Sequence, residues 1–283
     1  MIESRTKRIV SKILIYFILT IVIIFIGFPL VYAFGGSFKT INEFLVGGTK
    51  IFPDVFQWKN YTNAWKHANF ARYTLNSISF SLFSVIGTVI TTSMTGYVMS
   101  RFNFPGKKAL ALIFIVMLFL IGAVTLYPIF LLCNKMRLLN SIWGMVIAEV
   151  ATLQPFYSIL IMGYCDGIPR QIDESARIDG ASTFHIYTRI ILPIIKPILA
   201  TAAILSFRDS WNNYMMPLAF TIAQPKLRTL TVGVVLLKDQ GDGVAAWNTM
   251  LAGTIMSILP ILIVYLFFNR YFIEGITQGA IKE

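Results

Sequence analysis

Ile13-Leu14-Ile15-Tyr16-Phe17-Ile18-Leu19-Thr20-Ile21-Val22-Ile23-Ile24-Phe25-Ile26-Gly27-Phe28-Pro29-Leu30 decides the class of fold. Fourteen of these residues are Ile, Leu, Phe or Val. Each contributes roughly −0.3 to −0.6 kcal/mol at a helix centre, so on the order of 6 kcal/mol favours insertion into a bilayer. Arg5, Lys7, Arg8 and Lys12 precede it in the manner of a leader peptide. The apolar run, however, is longer than the usual ~7–15 residues and no A-x-A-like site follows, so a retained span is expected.

Working outward, five further segments suit a crossing of about 20 residues. The expected fold is an all-α membrane protein with six transmembrane helices, at about 13–34, 75–99, 109–132, 141–164, 194–220 and 247–268. A head (1–12) and a tail (269–283) flank this transmembrane domain (13–268). The second and fourth spans are rich in Ser, Thr and Gly, which suits close helix packing better than lipid contact. Both should lie inside a bundle. Composition agrees: of 283 residues 56% are hydrophobic and 13% charged, against about 25% charged in soluble domains. A soluble enzyme, a disulfide scaffold and a disordered chain are excluded. Cys133 and Cys165 lie on different apolar runs and form no metal-type cluster.

The net charge of +11 comes from basic residues that flank apolar runs instead of forming one solvated face. Membrane lipids with anionic headgroups are the expected electrostatic partner, and nucleic acid is not. With a cytoplasmic N-terminus, thirteen Lys and Arg fall inside and ten outside, Arg208 lying within a span. The four basic residues ahead of the first span dominate this weak bias, so both termini are placed in the cytoplasm. Residues 35–74 then form an outer loop, with Trp58, Tyr61 and Trp65 on a short amphipathic helix. Asn60-Tyr61-Thr62 matches a glycosylation sequon, a match too short to carry weight.

Residues 165–193 form the contrasting cytoplasmic loop. Pro169 favours a helix start, and Asp173 and Glu174 complement the positive end of its dipole. Ile172, Ala176 and Gly180 fall at four-residue spacing, a small-residue stripe that a partner could approach until Gly180 ends or bends the helix. Phe184, Tyr187 and Ile191 predict a second helix leading to Leu192-Pro193. An ordinary interfacial helix with solvated charges would read the same way.

The pattern Glu174-Ser175-Ala176, three residues, Gly180, nine residues, Ile190, one residue, Leu192-Pro193 resembles the EAA motif of permease subunits from ATP-binding-cassette importers. Ser175 stands where that motif usually has Ala. The likeness extends along the chain to the MalG-type permeases of carbohydrate importers, the inner-membrane components of binding-protein-dependent transport systems. It is carried by Asn60-Tyr61, Asn76-Ser77, Arg101-Phe102 with Phe104-Pro105-Gly106-Lys107, Trp211-Asn212, Pro217-Leu218, Thr229 to Gly233 and Gly275 to Lys282. The resemblance implies ATP-driven sugar or oligosaccharide import across the plasma membrane of a bacterium or archaeon. A coupling helix between the fourth and fifth spans would seat in an ATPase, through Ile172, Glu174, Ser175, Ala176, Asp179, Gly180, Leu192 and Pro193. The implied partners are a MalF-like second permease, two copies of a cytoplasmic ATPase subunit carrying ATP and Mg, and an extracellular solute-binding protein; the tail 275–283 would reach the ATPase interface. The chain would be no enzyme itself and bind no cofactor. It has no G-x-x-x-x-G-K-[ST], and Pro105-Gly106-Lys107-Lys108 lacks the upstream glycine, so energy must come from elsewhere.

Ionisable residues inside spans are functional candidates by default. Arg208 lies about 21 Å into a core of roughly 30 Å, and Glu149 about 12 Å in from the opposite end of its span, at matching depth. One reading is an ion pair between Glu149 and Arg208, with Asp209 as the competing partner; the alternative is that each reaches water in a cavity. Asp209, Trp211, Asn212 and Asn213 add carboxylate, aromatic and amide groups of the kind that hold sugars. Glu149, Arg208, Asp209, Trp211, Asn212 and Asn213 are thus translocation-path candidates, with contact between permeases as the alternative. An ion-driven secondary transporter would need inverted repeats and a midplane set of ion-coordinating groups, neither of which is seen. A membrane enzyme is disfavoured because Ser, His and Asp form no catalytic array and His67 and His185 lie in separate loops.

Overall fold

The first apolar run becomes one long helix, α1 (Arg5–Ser37), in a computed structural model that describes residues 5–46, 50–120, 122–240 and 246–280. Every regular element among the described residues is helical. After α1 come α2 (Ile41–Val46), α3 (Lys59–His67), α4 (Phe70–Arg101), α5 (Lys107–Leu118), α6 (Gly122–Lys135), α7 (Ile142–Asp166) and α8 (Gln171–Ile178). Then α9 (Thr183–His185) and α10 (Leu192–Ile194) are joined by a π-helical turn, Ile186–Ile191. The chain continues through α11 (Lys196–Asn212), α12 (Met215–Phe220), α13 (Leu230–Val235) and α14 (Trp247–Ala280).

Among the described residues, four helices are long and apolar enough to cross a bilayer: Ser11–Ser37, α4, α7 and Trp247–Phe267. Two bent pairs bring the number to as many as six. The third span, expected as one helix over 109–132, is instead α5 and α6. Phe119 and Leu120 close α5 with tight bonds to the carbonyls of Val116 and Met117, three residues back, before Gly122 opens α6. The fifth span, expected over 194–220, is broken twice. At its start Thr183–Ile194 meets α11 at 77°. Pro193 has no N–H for the carbonyl of Arg189, and the Leu192 N–H reaches back five residues to Tyr187, which produces the π turn. At its end Asn213 leaves the helix with ψ 123°. Its Oδ1 accepts from the Met216 N–H at 3.3 Å, capping α12, while its Nδ2 donates to Glu149 Oε2 at 2.7 Å.

Two compact units divide the chain. In the unit Met1–Phe70 with Val234–Ser257, Phe38 is buried against the rings of Phe34, Phe56, Trp58 and Tyr61, with centroids 4.9–5.2 Å apart. Asn60 donates to the carbonyls of Ser37 and Lys39, and Asn248 donates to the same Lys39 carbonyl. The buried Asn60 amide is thereby committed, so the sequon has no reachable acceptor in the folded chain. A capping box opens α2: the Thr40 N–H donates to Glu43 Oε2 at 2.8 Å and the Glu43 N–H to Thr40 Oγ1 at 3.2 Å. The Asp54 N–H adds a third bond, and these donors, Thr40 foremost, hold the Glu43 carboxyl below its ordinary value.

In the unit Ala71–Gly233 with Ile258–Glu283, α4 and α7 are the inner helices, as their small residues foretold. Of the most apolar 18-residue window, 33% is buried in α4 and 44% in α7, against 0% in the first span and 11% in the last. A stripe of Ser77, Ser81, Ser84, Thr88 and Thr92 runs down α4, completely enclosed. A Cβ on Gly96 would stand 2.9 Å from both Ile161 Cγ2 and the Met162 backbone nitrogen, so glycine here permits a close approach of α4 to α7. At the head of α4, Asn76 donates to the carbonyls of Lys226 and Arg228, and Ser77 accepts the Leu230 N–H.

Gly96→Ala should therefore lower the stability of the detergent-solubilised chain by about 1–3 kcal/mol, whereas Gly163→Ala, where the new Cβ meets nothing within 4 Å, should change it by less than about 1 kcal/mol. Asn213→Ala strips a helix cap and the donor to Glu149 together and should cost about 2 kcal/mol or more. Thermal unfolding of the three variants beside the parent checks both expectations.

Candidate functional site

Two helix ends of opposite polarity meet at the 165–193 loop. α4 is 32 residues long, about 48 Å, so it outreaches a hydrocarbon core of about 30 Å. Its last residue, Arg101, sits at the negative pole of its dipole, and Asp173 and Glu174 occupy the first turn of α8, at a positive pole. Arg101 Nε lies 3.1 Å from Asp173 Oδ2, with both side chains buried at 3% and 6% exposure. The Tyr97 hydroxyl donates to Asp173 Oδ1 at 3.2 Å, and Arg101 Nη2 donates to the Ile168 carbonyl at 3.0 Å. Ser100 Oγ donates to Asp166 Oδ1 at 2.6 Å. Charges taken out of water are tolerated when paired and hydrogen-bonded, and here each also sits at the helix pole that favours it.

Beneath α8 lies an apolar cluster of Tyr97, Ile161, Cys165, Ile168, Ala176, Ile186, Ile191, Ile195 and Ile198. Ile172 and Leu192 pack against it. The stripe read from the sequence as open to a partner is therefore the inner face: Ile172 and Ala176 serve the chain's own core. A small-residue stripe has the same spacing whether it meets a neighbour or its own protein, and here the Asp173 pair turns it inward. The outer face carries Glu174, Ser175 and Ile178, followed by Asp179 and Gly180. Pro193 is also exposed. Ile178 is 87% and Phe184 69% exposed.

Gly180 ends α8 as expected, in a Schellman motif. Its φ is +81°, its N–H bonds the Arg177 carbonyl and the Ala181 N–H bonds the Ala176 carbonyl. Ser182 then caps the next helix by accepting the His185 N–H. On the other flank Phe104-Pro105-Gly106-Lys107 makes a type II turn with Gly106 at φ +86°, and Phe102 meets the Arg177 guanidinium 5.5 Å from its ring centre.

Inside the spans, the expected pair of Glu149 with Arg208 is replaced by two separate arrangements. Arg208 takes its own neighbour, the expected competitor, with Nη2 2.7 Å and Nε 3.0 Å from Asp209 Oδ1. The second Asp209 oxygen accepts from the Tyr157 hydroxyl at 2.8 Å. Glu149 is buried and takes Asn213 instead. Adjacent side chains pair without ordering a second helix, which is why Asp209 wins. Trp211 is buried, its ring stacked on Phe207 and its carbonyl accepting from Thr231. Glu149, Trp211 and Asn213 thus serve packing, while Arg208 and Asn212 stay exposed and Asp209 half-buried.

The sequence reading missed Arg101 and Tyr97 as partners of α8, Tyr157 as a partner of Asp209, and Gln154, which bonds Thr91 at 2.8 Å and Thr95 at 3.0 Å. Ser93, Tyr97, Ser100 and Arg101 recur at three- to four-residue spacing, a polar face at the end of α4 that gave a usable signal.

The family described as binding-protein-dependent transport system inner membrane component matches residues 1–277. The chain is 30% identical to the probable ABC transporter permease protein YurM of Bacillus subtilis, over 99% of this chain and 92% of that one. It is 32% identical to the arabinooligosaccharides transport system permease protein AraQ of Halalkalibacterium halodurans, over 98% and 99% of the two chains. A bacterial ABC transporter involved in the import of the acidic polysaccharide alginate has a chain of the same fold, with a TM-score of 0.76 at 24% identity over 96% of this chain and 99% of that one. With a helical, multi-pass fold and a family match over nearly its whole length, the chain belongs to the inner-membrane permease components of binding-protein-dependent ABC transporters.

Proposed function

We propose that this chain is the permease subunit of a sugar or oligosaccharide importer of the plasma membrane, driven by a separate cytoplasmic ATPase that seats on the outer face of α8. The single observation that carries the coupling assignment is the division of α8 into two faces. Asp173 and Ala176 anchor one, while Glu174, Ser175 and Ile178 remain outside, with Ile178 at 87% exposure. An isoleucine and a phenylalanine this exposed, beside a carboxylate on a polar loop, mark a protein-docking surface. The EAA-type spacing of the same residues supports an ATPase subunit as the partner. ATP and Mg belong to that partner. Both termini and the 165–193 loop then face the cytosol.

Relatives support the class of solute. Proteins similar along most of their length are named as permeases for galactooligosaccharides, arabinooligosaccharides and maltodextrin. A chain of the same fold, with a TM-score of 0.71 at 18% identity over 95% of this chain and 96% of that one, comes from an alginate transporter in complex with its alginate pentasaccharide-bound periplasmic protein. A solute-binding protein and a second, MalF-like permease are accordingly the expected partners of this chain. The exposed polar face of α11, Arg208 and Asn212 with Asp209 behind them, is the proposed sugar path, because polar groups at membrane depth face a water-filled passage or a partner.

Glu174→Lys and Ile178→Asp should each weaken retention of the ATPase on the solubilised permease by about 2 kcal/mol or more while membrane insertion stays normal; quantitative co-purification reads this, and full retention in both variants removes the assignment. Asn212→Ala should leave the melting temperature in place and lower solute uptake severalfold, by about 1 kcal/mol of lost hydrogen bonding. Uptake in proteoliposomes separates this loss of path from the loss of fold expected at Asn213.

A further inference from the structure

Movement of a coupling segment must reach the spans through some specific contact, and the structure offers one that is neither the covalent chain nor the apolar cluster. Resting on the reading that α8 receives the ATPase, we infer that the Arg101–Asp173 ion pair, joined by the Tyr97 hydroxyl, is the positioning device that carries displacement of α8 into α4. Arg101 and Asp173 are therefore positioning residues for ATP-coupled transport.

The covalent routes out of α8 are short turns at both ends. Gly167 to Arg170 connect it to α7, and Gly180, with φ +81° and open space around it, connects it to α9. A glycine in that conformation bends at little cost, so the link to α9 is the compliant one. The links to α4 are buried. Asp173 Oδ2 lies 3.1 Å from Arg101 Nε as an ion pair, and Asp173 Oδ1 accepts from the Tyr97 hydroxyl at 3.2 Å. On the same face of α4, Ser93 Oγ lies 2.8 Å from the Tyr187 hydroxyl, and the rings of Tyr97 and Tyr187 are 5.3 Å apart. Ser100 and Arg101 also hold Asp166 and the Ile168 carbonyl. The last three turns of α4 thus hold the end of α7, the start of α8 and the π turn beyond α9 together.

Charge geometry gives the link its stiffness. An apolar contact can slide, because dispersion has little directionality, whereas a buried guanidinium–carboxylate pair resists separation in every direction that would leave either charge unpaired. The pair also lies where α4 has outrun the hydrocarbon core, so a push at α8 is delivered at the end of a continuous 32-residue helix whose buried polar stripe packs within the unit.

The test uses the importer assembled with its ATPase subunits in proteoliposomes and reads solute moved per ATP hydrolysed. Asp173→Asn and Arg101→Met should each lower that ratio about tenfold with the ATPase still bound. The reciprocal exchange, Arg101→Asp with Asp173→Arg, restores the pair but sets both charges at the helix poles that disfavour them, so it should recover part of the loss, about threefold above either single variant. A ratio unchanged in the assembled single variants overturns the inference, as does an assembled exchange no better coupled than either single variant. Should the single variants fail to assemble, hydrogen exchange on the unaltered complex decides: amides of 93–101 must change protection together with those of 171–178 on ATP binding, and a change confined to 171–178 overturns the inference. An unaltered chain that retains no ATPase refutes the docking reading instead, before any variant is compared.

Discussion

One buried ion pair organises the junction of α4, α7 and α8. Arg101 and Asp173 lie 72 positions apart, and each stands at the helix pole that favours its charge. Breaking such a pair by removing one member costs about 3–5 kcal/mol in typical proteins, which makes it a strong determinant of how α8 is oriented. Once Asp173 points inward, helical geometry obliges Ala176 to follow it, and Glu174, Ser175 and Ile178 are left outside. The outer surface of the loop is a consequence of that inward commitment.

The same logic separates the polar residues of the spans. Asn213 is consumed by its own fold, one end of its amide closing a helix and the other answering Glu149. Arg208 and Asp209 satisfy each other at the surface of α11, which lets a cation sit at membrane depth without a partner from another helix. A polar group that folding has already used has little left to offer a passing solute. The exposed subset is narrower than the sequence cluster, and is confined to one side of a 17-residue helix.

Much of this architecture could be read before any coordinates. Hydropathy located α1, α4, α7 and α14, and the Ser, Thr and Gly content of α4 and α7 singled them out as the inner helices. The reading failed where a local pattern has two outcomes. Hydropathy over 109–132 and 194–220 is continuous, because it averages over the few residues whose hydrogen bonds reach three or five positions back, so neither break was visible. The spacing of Ile172 and Ala176 gave a face but not its direction, since that was set by Arg101, a residue treated as one more loop charge. Tyr157 and Asp209 lie 52 positions apart, and no window joins them.

The lone exposure of α1 has a bearing on biosynthesis. None of its most apolar window is covered by the other described residues, while Gly35 to Ser37 at its end are buried, so entry of that window into lipid is favoured by its own side chains as they leave the ribosome. The polypeptide is thus moored before the residues that will pack α4 against α7 have been synthesised.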